Sequence, residues 1–213
     1  FDLDDDGDRD VVFSTLEGTR LFVNDGRGRF TDETERRGAF VDGWTTALAP
    51  FDVDDDGDLD LFVGRYVAWS PQADDAMGCT LDGNRRAWCM PSLFPPTSPV
   101  LLINDGHGHF QDGSVRAGIP VGGGRALGVL TLDLDGDGRM DLLVANDTMR
   151  NQVFLTRGDG TLAEVAVPMG FAATEGGSAY AGIVVAYACL RWRRVRGSAS
   201  KSDVLTPDPD APD

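Results

Sequence analysis

The stretch LDLDGDGRMD, residues 132–141, decides how this chain is read. The same pattern occurs as FDLDDDGDRD at residues 1–10 and as FDVDDDGDLD at residues 51–60. Counted from the first Asp, carboxylates fall at positions 1, 3, 5 and 9, and a Gly at position 6. The carboxylates are Asp2, Asp4, Asp6 and Asp10, then Asp52, Asp54, Asp56 and Asp60, then Asp133, Asp135, Asp137 and Asp141. Alternate residues of a tightly curved loop can turn their oxygens toward one centre, and calcium takes about six to eight hard oxygen ligands in a flexible shell. The position-7 residue (Asp8, Asp58 or Arg139) is read as a ligand through its backbone carbonyl, which is indifferent to the side chain. The expectation is therefore about three Ca²⁺ ions, one per loop.

An EF-hand begins in the same way, but it closes with a bidentate Glu at position 12 and is flanked by helices. Position 12 is Phe13, Val63 and Val144, and each loop runs into a strand-like segment, VVFST, LFVGR or LLVAN. These runs of Val, Leu and Phe place the loops within β-hairpins. A solvated acidic turn would explain one loop; three copies with equal spacing favour a metal.

The chain has 213 residues and a formal net charge of −16, gathered largely in the loops. Without cations such a chain repels itself. A nucleic-acid partner is not expected, because basic residues cluster only in a short run near the end. The apolar segment 181–190 is half the length of a membrane span. The chain opens inside a motif without a Met and is read as a fragment, so a missing signal peptide is uninformative.

Downstream of each loop lies a second repeat, LFVNDGRGRFTDET (21–34), LLINDGHGHFQDGS (101–114) and VFLTRGDGTLAEVA (153–166). Each reads as strand, Gly-rich turn, strand. The Gly pairs are not a phosphate loop, because no helix follows. His107 and His109 are read as turn residues, since the other copies carry Arg27 and Arg29, or Asp159 and Thr161. Setting aside an insertion at 66–98, the repeat period is about 50 residues, the size of a four-stranded propeller blade. The expected fold is all-β: an incomplete β-propeller of four-stranded blades, about three blades plus one strand. Blade 1 is expected at about 1–38, blade 2 at 43–118, blade 3 at 124–172 and a lone strand at 179–186. Small residues five before the first Asp, Ala47 and Gly128, are expected where the innermost strands crowd together. A helical turn is expected near 31–37.

The insertion is Pro-rich and holds Trp69, Trp88, Cys79 and Cys89. The two Cys are read as a disulfide in preference to reduced thiols or a metal pair, worth roughly 3 kcal/mol in the chain-entropy model. A disulfide and a calcium site both suit an oxidising, calcium-rich location outside the cytoplasm. Near the end, Tyr187, Cys189 and Arg191 occupy the places of a fourth set of acids, and LRWRRVRGS follows. A frameshift that destroyed a fourth loop is the expectation there, with 187–213 a disordered tail.

These stretches resemble FG-GAP/VCBS repeats, the calcium-loop blades of integrin α-subunit propellers. The segments GRYVAWSP, CTLDGNRRAWCMPSLFPP and GRALGVLTLDLDGDGRMDLLVANDTMRNQVFLTRGDGTLAEV are most similar to proteins resembling cartilage acidic protein, which often carry an ASPIC/UnbV domain. The resemblance implies a secreted or cell-surface, non-catalytic module for adhesion, recognising a protein or carbohydrate ligand. The alternative is an accessory propeller of an extracellular lyase or hydrolase acting on polysaccharide. No nucleophile with a base, HExxH or positioned His supports catalysis in the chain itself. The loop acids do not form a glycosidase pair, since ligands converging on one cation cannot serve as free acid and base.

Overall fold

The computed structural model describes residues 1–172. Eleven strands form three antiparallel sheets, each pairing in chain order. The first holds β1 (Val11–Thr15), β2 (Gly18–Asn24) and β3 (Phe30–Asp32). The second holds β4 (Thr45–Phe51), β5 (Asp60–Arg65), β6 (Val100–Asn104) and β7 (Phe110–Asp112). The third holds β8 (Ala126–Leu132), β9 (Asp141–Asn146), β10 (Gln152–Thr156) and β11 (Leu162–Glu164). Each acid loop precedes the strand that starts at its position-9 Asp or just after it, and each Gly-rich turn joins the last two strands of its sheet.

The middle strands are apolar at consecutive positions because both of their faces are covered. In β5, Leu61 and Val63 pack toward the first sheet with Leu3, Leu21 and Val41, while Phe62 packs toward the third with Leu142, Val144 and Phe154. β9 repeats the pattern, with Leu142 and Val144 facing one way and Leu143 the other, onto Leu134, Val153 and Ala166. Successive side chains of a strand point to opposite faces, so a strand between two cores cannot alternate with polar residues.

The sheets meet along their first strands. Thr45 Oγ1 accepts from the Thr15 N–H at 2.9 Å, and Thr46 Oγ1 donates to the Ala126 carbonyl at 2.6 Å. Beside that seam Gly64 has no room for a side chain: a Cβ there would lie 2.9 Å from Ala126 Cβ and 3.1 Å from Ala47 Cβ.

The propeller expectation is corrected by this topology. Every strand finds its ladder partners inside its own sheet, and none of the three sheets closes or curls into a propeller blade. The repeat dictates pairing within a sheet; no strand pairing carries one sheet into the next. The crowding expected at Gly128 is also absent. A Cβ there would meet nothing within 4 Å among the described residues, whereas Ala47 does lie in the crowded seam, 3.1 Å from the place of a Cβ on Gly64; both residues follow register shifts, in β4 and β8. The stretch near 31–37 leaves β3 and closes a single helical turn, in which the Arg37 N–H donates to the Glu33 carbonyl at 2.9 Å. A four-residue helix, α2 (Ser114–Ala117), stands at the matching place in the second repeat. The lone strand at 179–186 and the tail at 187–213 lie outside the described residues.

The insertion is a small core of its own, with Tyr66, Val67, Cys89 and Phe94 buried against Trp44 and Trp69. It holds helix α1 (Pro71–Met77), started by Ser70, whose hydroxyl accepts from the Ala73 N–H, and stopped by Gly78 in the left-handed conformation. Cys79 and Cys89 are disulfide-bonded. Among the described residues, no helix is long and apolar enough to cross a membrane.

Candidate metal centre

Each loop gathers carboxylates. Oxygens of Asp2, Asp4 and Asp6 lie within 4.8 Å of one another, as do those of Asp52, Asp54 and Asp60, and those of Asp133, Asp135 and Asp141. The structure thus brings together three of the four side chains expected per loop, leaving Asp10, Asp56 and Asp137 outside these groups. The backbone makes the convergence possible. Gly7, Gly57 and Gly138 take positive φ at the turn, and the position-1 carboxylates Asp2 and Asp52 accept their N–H groups at 3.0 Å, Asp133 at 3.3 Å.

A second feature of the first two loops fits a divalent cation. Oδ1 atoms of Asp2, Asp4, Asp52 and Asp54 are buried without a hydrogen-bond partner. A buried carboxylate oxygen with nothing to accept costs free energy unless a cation or donor meets it. The residue types are hard oxygen donors, suited to calcium, magnesium or manganese rather than to a thiophilic ion. In the third loop, Asp133 Oδ1 instead accepts from the Gly136 N–H at 2.5 Å.

The position-9 Asp does more than its expected role of ligand. Asp10 accepts from the Leu3 N–H at 3.0 Å and the Asn24 N–H at 2.9 Å. Asp60 holds Val53 and Asn104 at 2.9 Å each, and Asp141 holds Leu134 at 2.8 Å and Thr156 at 2.9 Å. Each of these buried carboxylates ties its loop to the second strand that follows it, β2, β6 or β10. Burial pushes Asp60 up to about 7 and Asp141 up to about 6, with neighbouring loop carboxylates adding to the rise. Asp10 is raised by burial in the same sense.

At position 7, the N–H groups of Asp8, Asp58 and Arg139 bond the position-5 carboxylates Asp6, Asp56 and Asp137 at 2.9, 3.0 and 2.9 Å. The side chains are not idle. The Asp58 carboxylate sits where a Cβ at Gly106 would be, 2.5 Å from it, so the first Gly of that turn is required by close approach. Arg139 pairs with Asp137 at 2.6 Å and reaches Asp55 in the preceding loop at 2.8 Å.

Sequence reasoning missed the Arg residues that bridge repeats. Arg37 pairs with Asp4 and Glu33 at 2.7 Å each and donates to the His107 carbonyl at 2.7 Å. It clamps the first loop to the Gly-rich turn of the second sheet. Arg116 donates to the Asp159 carbonyl at 3.2 Å, and its charge acts on Asp54, so the second loop faces the turn of the third sheet. The usable signal was an Arg shortly before Gly38 and Gly118 in two repeats.

A family model of the FG-GAP-like repeat matches residues 2–63, 92–144 and 133–187. No curated protein matches the chain. Among solved structures, one described as the structural basis of specific recognition of non-reducing terminal N-acetylglucosamine by an Agrocybe aegerita lectin aligns with a TM-score of 0.39 and 18% identity. It covers 76% of this chain, which spans 35% of that structure's length, and a superposition so loose transfers neither fold nor function. The finer likeness to integrin α-subunits and to proteins resembling cartilage acidic protein is corrected, because the sheets form no propeller. The adhesion role rested on that likeness and falls with it. The three matched stretches span well over half of the sequence, and the chain belongs to the FG-GAP-like repeat family.

Proposed function

We propose that the chain is a calcium-organised accessory module of a larger extracellular protein that acts on polysaccharide. The observation that carries the metal part is the set of partnerless buried oxygens on Asp2, Asp4, Asp52 and Asp54 beside converging carboxylates. Calcium fits better than magnesium, because acids on a flexible loop tolerate its longer, irregular shell, whereas magnesium needs near-ideal octahedral geometry. The ligands are Asp2, Asp4 and Asp6 in the first loop, Asp52, Asp54 and Asp60 in the second, and Asp133, Asp135 and Asp141 in the third. Carbonyls of Asp8, Asp58 and Arg139 add one further oxygen to each shell. Bound calcium neutralises the crowded acids and fixes the turn between the first two strands of each sheet.

The module's own contribution is binding rather than catalysis. An extracellular setting is supported by the Cys79–Cys89 disulfide, since such bonds persist in oxidising compartments. The polysaccharide-directed part is supported by the insertion, which has no counterpart in the other repeats and leaves Trp88 82% exposed.

Thermal unfolding with calcium titrated against excess chelator tests the metal reading. About three bound ions and a higher melting temperature are expected, by the linkage of ligand binding to folding. A β-type circular-dichroism signal that is retained while calcium leaves the melting temperature unmoved would refute it.

A further inference from the structure

The insertion carries a half-open pocket of about 460 Å³ lined by Trp69, Asp74, Asp75, Arg86 and Trp88 among others. We propose that this pocket is a glycan subsite that stacks a neutral pyranose ring on tryptophan and holds its hydroxyls with Arg86 and the two acids. The inference rests on the polysaccharide-directed reading above and gives it a location.

Two kinds of surface meet here. Trp69 is half-buried and held edge-on by Trp44, with ring centroids 5.8 Å apart. Trp88 is among the most exposed large apolar side chains of the described residues. An indole face is apolar with a negative quadrupole, so it suits the C–H face of a sugar ring, whose hydrogens are weakly positive. The second kind is polar. Arg86 pairs with Asp75, and at 3.4 Å with the nearly buried Asp74, whose other oxygen accepts from the Cys89 N–H at 3.3 Å. A guanidinium offers only donors and an ionised carboxylate only acceptors. Side by side they match vicinal hydroxyls, each of which donates and accepts.

The same arrangement disfavours other small ligands. A quaternary ammonium would seek an aromatic cage, but Arg86 already lies beside the acids that would balance its charge. An anion would meet two carboxylates for one guanidinium. The pocket volume falls in the range of small-ligand sites, about 300–1,000 Å³. Its frame is fixed before binding: the Cys79–Cys89 bond, the Thr80–Arg86 bridge and the Ser70 cap restrain the segments that carry the lining. Preorganisation of this kind lowers the entropy cost of association.

The test uses the full chain saturated with calcium and a set of neutral hexasaccharides: β-1,4-glucan, β-1,3-glucan, β-1,4-mannan and β-1,4-linked N-acetylglucosamine. Choline serves as the cationic comparator. Calorimetry and tryptophan emission should report binding of at least one hexasaccharide. Trp88→Ala should weaken it at least tenfold while leaving the calcium-dependent rise in melting temperature intact. Trp88→Phe should recover part of the loss. Arg86→Lys, which keeps the charge but loses the fork, should weaken binding as well. Oligosaccharide binding that survives Trp88→Ala overturns the pocket and leaves the polysaccharide reading standing. No binding by any hexasaccharide, or choline binding tighter than all of them, overturns both.

Discussion

Asp60 joins two duties that conflict without a cation. Its carboxylate accepts two backbone N–H groups, and yet burial and the nearby Asp54 and Asp56 raise it to about 7. A folded-state value above the unfolded one means that the protonated form is favoured by folding. Its contribution to stability is therefore present below the ordinary value of 3.8 and is lost as pH rises toward about 7. Asp141, raised to about 6, acts in the same direction. In chelator, the chain should melt at a higher temperature at pH 5.5 than at pH 8, from these two groups; a flat profile across that window would reject the assignment. Calcium requires the ionised form, so binding at pH 6.5 should release protons, seen as a calorimetric heat that varies with buffer ionisation enthalpy. Substitution separates the duties. Asp60→Asn leaves one buried N–H without its acceptor and should cost about 1–3 kcal/mol even in chelator, and more when calcium is present because a ligand is lost as well. Asp54→Asn, at a ligand that holds no strand ladder, should lower stability only when calcium is present.

At the scale of elements, the loops communicate with neighbouring sheets through arginines. Arg37 is 9% exposed at its side chain and satisfies Asp4, Glu33 and a carbonyl of the second sheet's turn. Arg37→Met strands the buried part of that network and should cost about 3–5 kcal/mol, the usual penalty for breaking a buried pair. A double-mutant cycle with Asp4→Asn should show coupling when unfolding is followed in chelator; additive effects would mean that the bridge is incidental. These elements also show what could be read in advance. The acids were legible because metal chemistry fixes residue type at each loop position. The strands were legible because Val, Leu and Phe runs end in Gly-rich turns, and β6 and β7 flank the turn expected within 101–114. Helix α1 was overlooked, although Ser70, Pro71 and Gly78 mark its cap, first turn and end. Arg37 was overlooked because Asp4 and the His107 carbonyl are 33 and 70 residues away in sequence, and an Arg before a Gly marks the place without naming those partners.

For the whole molecule, the repeat determined each sheet but not how one sheet follows another. Neighbouring sheets pack through the apolar cores around β5 and β9 and along a seam of β1, β4 and β8, and the 50-residue period does not specify the geometry of that packing. That is why the ring inferred from the period is not what the sheets build. The seam between the second and third sheets is the place to test this view. Gly64 lies against Ala47 and Ala126, and Thr46 donates to the Ala126 carbonyl at 2.6 Å. Gly64→Ala places a methyl inside ordinary contact distance of two others. The sheets must separate by a few tenths of an ångström or the strand must shift, at about 1–3 kcal/mol for overpacking. Thr46→Val keeps the shape and removes one hydrogen bond, at about 1 kcal/mol. Both act on Ala126, so the double substitution should cost less than the sum, because a seam already opened has lost the Thr46 bond. Denaturant unfolding of the calcium-loaded chain measures all three. Full additivity, or a Gly64→Ala variant as stable as the parent, would mean that the two sheets do not depend on this contact for their packing.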